Sequence, residues 1–134
     1  MAVNLGVNYL AVIVATIAAF VIGFIWYGVL FTKQWSAAHN MSAEQMRPQG
    51  LGLVVSFAAP LLNAWVVALL ALNLGGKTIT DAVMLGVLVW LGFFASQFAA
   101  NTVFQRKSWS LFAMDAGHAL IVQVAIAAIV TLWR

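Results

Sequence analysis

The sequence predicts an all-α integral membrane protein, a bundle of four transmembrane helices with both termini on the same side. Three observations lead there. Of the 134 residues, 65% are hydrophobic and 7% charged, whereas an ordinary soluble domain is about 25% charged. Mean hydropathy is +1.04. The apolar residues also fall into four runs, each close to the roughly 20 residues that span hydrocarbon. These runs use up most of the chain, so residues 1–134 form a single membrane domain with no room for a soluble one.

The first helix is expected over residues 7–31. Asn4 or Asn8 can cap it, and Trp26, Tyr27 and Trp35 at its far end suit an interfacial aromatic belt. The N-terminus lacks the basic start of a signal peptide and leads into too long an apolar run, so this segment is expected to be retained. Thr16, Ala19, Gly23 and Tyr27 form one small and polar stripe that suits close helix contact. In the following loop, Ser42 and Gln45 have capping-box spacing. A short interfacial helix is expected there, ended by Pro48.

The second helix is expected over 51–74, kinked at Pro60 and stopped by Gly75-Gly76. Thr78 to Asp81 reads as a capped start, so the third helix follows over 81–104, antiparallel to the second. Gly92, Ser96 and Ala100 repeat at close-packing spacing, with Trp90, Gln97 and Asn101 on an adjoining face. The fourth helix is expected over 109–133, with Ala113 and Gly117 as a further small pair. Trp26-Tyr27-Gly28 and Trp90-Leu91-Gly92 echo each other, but three residues are too few to establish an internal repeat. Lys33, Arg47, Arg106 and Lys107 in the first and third loops outnumber Lys77 and Arg134 opposite, which places those loops in the cytoplasm.

Asp115 is the one acid inside an apolar run. An ionised carboxylate in hydrocarbon costs several kcal/mol or more, so it must face a protein or water interior. Counting residues along the helices puts Tyr27, Gln97, Asn101, Asp115 and His118 in one leaflet, where they are expected to converge. Asn63 lies near the middle of the second helix, and Trp26, Trp35 and Trp109 ring the site. Two readings stand. The polar residues are interhelical glue, or Asp115 and His118 make a small-solute or proton site.

Other chemistries are excluded or unsupported. The chain has no cysteine, hence no disulfide or thiolate site. Asp-x-x-His is half a metal site, but no second pair of ligands is evident, so neither metal nor cofactor is expected. A phosphate loop, a nucleophile elbow and His-Glu-x-x-His are all missing, so no enzyme is expected. The net charge of +3 comes from basic residues scattered among loops and ends, which fits lipid headgroups rather than nucleic acid.

Three motifs carry a resemblance. These are Trp26-Tyr27-Gly28-Val29-Leu30-Phe31 with Lys33-x-Trp35, then Leu88-Val89-Trp90-Leu91-Gly92-Phe93, then Trp109-x-Leu111-Phe112-x-x-Asp115-Ala116-Gly117. In order along the chain they resemble a bacterial family of four-helix inner-membrane proteins catalogued as a domain of unknown function. The family pattern has Pro where this chain has Val29, and Tyr where it has His118. The resemblance implies the four-span fold and a role for Asp115, but no activity. The leading expectation is a non-enzymatic membrane protein that self-assembles or serves as an accessory subunit of a larger complex. Gly23, Gly92, Ser96, Ala100, Ala113 and Gly117 are then its packing positions. The alternative is a small transporter or channel using Asp115.

Overall fold

A computed structural model describes residues 1–42 and 44–134. Helix α1 spans Tyr9–Leu30, α2 Thr32–Ala38, α3 Leu51–Asn73, α4 Ile79–Phe104 and α5 Trp109–Leu132. The four long helices are each apolar and long enough to cross a bilayer. Their ends follow local chemistry. The Asn8 side chain accepts from the amides of Leu10 and Ala11. Thr78 and Asp81 form a reciprocal capping box at the start of α4. The Ser108 hydroxyl accepts the Leu111 amide at 3.1 Å. At the end of α3, Gly75 takes φ +75°, a left-handed conformation that turns the chain so that the Gly76 amide reaches the Ala71 carbonyl at 3.0 Å.

The short helix expected after Ser42 is corrected. The capping-box bonds do form, Ser42 N–H to Gln45 Oε1 at 2.9 Å and Gln45 N–H to Ser42 Oγ at 3.2 Å. Yet Glu44 to Met46 make only a turn, since Pro48 leaves too few residues for a helix to propagate. Ala43, within the expected segment, lies outside the described residues. The short helix of this loop is instead α2, directly after α1.

Helix α5 occupies the centre. Within its apolar window 44% of the residues are buried, against 17–28% in the other long helices. Both α1 and α3 pack on each other and on α5, while α4 takes α5 as its partner. Alanines allow the close approach: Ala15, Ala64 and Ala127 are fully buried and share one core with Ile126. The ends meet at one end of the bundle. Asn4 and Asn73 exchange hydrogen bonds at 2.9 and 3.0 Å, Asn8 donates to the Trp133 carbonyl at 3.4 Å, and Arg134 donates to the carbonyls of Ala71 and Gly76.

Helix α1 turns π-helical over Trp26–Leu30, and α4 does so over Trp90–Ala95. A π turn holds more residues than an α turn and so shifts every later side chain around the axis. In α4 the buried positions Ala82, Gly86 and Val89 would continue at Phe93 in a regular helix. Phe93 is instead 72% exposed, and burial resumes at Ala95 and Thr102.

Among the glycines, Gly86 is the tight contact. A Cβ there would sit 2.8 Å from Val124 Cα and 3.0 Å from the Gln123 carbonyl oxygen, so α4 and α5 meet backbone to backbone. Gly86→Leu should therefore lower the unfolding midpoint in detergent, by the equivalent of about 1–3 kcal/mol or more for overpacking. Gly92→Ala, where a Cβ meets nothing of this chain within 4 Å, should leave the midpoint of the monomer unchanged or raise it. Equal effects at both positions would contradict this packing.

Candidate functional site at the loop end of the bundle

Both π turns begin with tryptophan, and both indoles end on α5. Trp26 Nε1 donates to the Met114 carbonyl at 3.1 Å. Trp90 Nε1 donates to the Ala116 carbonyl at 2.8 Å. The two clamps therefore flank Asp115. Gly117 gives the Trp26 ring its seat, since a Cβ there would lie 3.2 Å from the indole edge.

Asp115 itself is half-buried and accepts a hydrogen bond from the Tyr27 hydroxyl at 2.5 Å. That length is at the short end of the range for a hydroxyl bonded to an oxygen. The Tyr27 ring stacks against His118 at 4.9 Å and against Trp35 at 4.7 Å. Trp35 in turn meets the ring of His39 at 5.3 Å. Trp26 lies 6.4 Å from His118. Gly23 makes room for the imidazole, because a Cβ there would stand 3.4 Å from His118 Nε2. That nitrogen is buried without a hydrogen-bond partner.

The structure thus gathers Tyr27, Asp115 and His118, joined by Trp26 and Trp35. It does not bring Gln97 and Asn101 to them. Gln97 Nε2 donates to Asn101 Oδ1 at 3.2 Å on the outer surface of α4, with Gln97 exposed and Asn101 half-buried. The π turn is the reason. It leaves Trp90 facing α5 and hands the inward positions to Ala95 and Thr102, so that Gln97 and Asn101 turn away. Asn63, half-buried in mid-α3, takes no part in the hydrogen bonds of the site among the described residues. Trp109 is exposed and pairs edge-on with Phe112 at 5.3 Å, away from the ring stack.

The expected packing positions divide in the same way. Gly23 and Gly117 meet other helices, as above. Gly92, Ser96 and Ala113 are exposed and Ala100 is half-buried, so the Gly92 stripe faces out of the bundle. The Ser96 hydroxyl folds back onto the Gly92 carbonyl at 2.7 Å. Gln123 escaped the sequence reading. It is 1% exposed, with both amide atoms unpartnered, but one glutamine in an apolar run gives no spacing to interpret.

Residues 10–131 match the sequence model of a family described as "Protein of unknown function (DUF1761)". The chain belongs to that family. No curated protein and no solved structure matches it. The family match covers all three motif segments, and hence both indole clamps and Asp115 of this DUF1761 chain.

The bonds at the site differ in strength. Removing the Tyr27 hydroxyl leaves the Asp115 side chain without the partner it has here, at about 1–3 kcal/mol for an unsatisfied group, whereas the Ala116 carbonyl can keep its bond within the helix. Tyr27→Phe should therefore cost more unfolding free energy than Trp90→Phe, measured by denaturation in one detergent. The reverse order would show that the Trp90 clamp, rather than the Tyr27–Asp115 bond, dominates the stability of this end.

Proposed function

We propose that this protein is a non-enzymatic membrane subunit that assembles with copies of itself through the outer face of α4. One observation carries the reading: within a membrane-spanning helix, Gln97 is exposed beside exposed Gly92 and Ser96. Polar groups facing lipid lack water to bond with, and each unsatisfied group is costly. An amide carries both donor and acceptor, so two copies related by a two-fold axis can satisfy one another. The missing side chain at Gly92 lets a second backbone approach. Helix α4 also has its outer side free, since it packs on α5.

The reading places the assembly in a bacterial inner membrane, surrounded by lipid. The loops bearing Lys33, Arg47, Arg106 and Lys107 face the cytoplasm, supported by their excess of basic residues over the other end. Attachment to a larger complex would use the same face and would show as a partner recovered in equal amount.

Because the chain contains no cysteine, single cysteines report cleanly. Ser96→Cys should give a disulfide-linked dimer under mild oxidation in membranes, whereas a cysteine at lipid-facing Val54 of α3 should not. Gly92→Leu combined with Gln97→Leu should reduce the particle to monomer mass in mild detergent. A wild-type protein already monomeric in membranes and detergent alike would defeat the proposal.

A further inference from the structure

We infer that the turn between α4 and α5 binds the headgroup of an anionic phospholipid through Arg106 and Lys107. A comparison within the chain leads there. Helices α3 and α4 end on the same pattern of backbone bonds. At α3, the amides of Leu74, Gly75 and Gly76 donate to the carbonyls of Leu70, Leu72 and Ala71 at 2.9, 3.2 and 3.0 Å. At α4, the amides of Gln105, Arg106 and Lys107 donate to those of Asn101, Val103 and Thr102 at 2.9, 3.4 and 3.0 Å. Gly75 turns the chain at φ +75° and Arg106 at φ +53°. Glycine enters this left-handed region freely, whereas an L side chain does so at a cost. One turn therefore uses Gly-Gly, and the other puts Arg-Lys into the same geometry, so the backbone does not account for the two cations.

Two other needs are met without them. A cation near the negative end of a helix is favourable, but Lys77 follows the glycines of the α3 turn and occupies no left-handed position. Membrane orientation depends on basic residues anywhere in a short loop, which Lys33 and Arg47 also supply.

The surroundings select the ligand. Arg106 and Lys107 are exposed, and no acid occurs in the sequence between Asp81 and Asp115 to neutralise them. Phe104 is 85% and Trp109 58% exposed, and Val103 is exposed as well. These apolar residues flank the cations at the ends of two membrane-spanning helices. A phospholipid has the matching order, a phosphate above acyl chains, and basic residues at the membrane surface attract anionic headgroups. A soluble anion would leave the apolar residues unused.

Native mass spectrometry of the full chain, purified in detergent with equal phosphatidylglycerol and phosphatidylcholine, tests the inference. The wild type should retain phosphatidylglycerol preferentially. Arg106→Gly with Lys107→Gly, which copies the α3 turn, should keep the wild-type circular dichroism and reduce that preference about tenfold. Lys33→Gln with Arg47→Gln removes the same charge from the other loop at this end and should leave the preference largely intact. If the glycine variant fails to fold, Arg106→Gln with Lys107→Gln carries the comparison. No preference in the wild type, a preference that survives in the folded turn variants, or an equal loss in both loops would overturn the inference. Displacement of the lipid by inorganic phosphate at equal concentration would overturn its assignment to a phospholipid.

Discussion

Two indole N–H groups resting on carbonyls two residues apart on one helix hold the loop end of this protein together. Trp26 and Trp90 reach the carbonyls of Met114 and Ala116 from α1 and α4, which take α5 between them. In water such bonds would be exchanged for bonds to solvent at little gain. In hydrocarbon an unbonded indole N–H has no alternative, so the clamp position sets the rotation of α5. With that rotation fixed, Asp115 faces Tyr27, Gly117 sits under the Trp26 ring, and Gly23 lies against His118.

Much of this was legible, and the boundary is physical. Helix starts and stops depend on interactions three or four residues apart, so Asn8, Thr78 with Asp81, and Gly75 announced themselves. The Thr16–Ala19–Gly23–Tyr27 stripe was readable because α1 is regular until Trp26. What followed a π turn was not. No residue type specifies that turn, and a reading at 3.6 residues per turn sent Gln97 and Asn101 inward with Trp90. Gly86 was overlooked for another reason: a glycine in a helix looks the same in sequence whether its missing Cβ faces a backbone or lipid.

The three-residue echo of Trp-x-Gly acquires content at this level. In both places tryptophan begins a π turn, its indole donates to α5, and the two acceptors are two residues apart. Short sequence likeness carried little weight, yet the same local device recurs on two helices around a common partner. π turns cluster at functional sites because they displace side chains that a regular helix would hold in line.

That device bears on the choice between glue and site for Asp115. Indole donors already tie α1 and α4 to α5, and they do so without placing a formal charge in the membrane. Gly86 and the buried alanines bring the helices together by shape alone. A carboxylate adds no cohesion that a neutral hydrogen-bonding side chain at the same place would lack, while its desolvation opposes folding. An acid at Asp115 is therefore surplus to the needs of the fold.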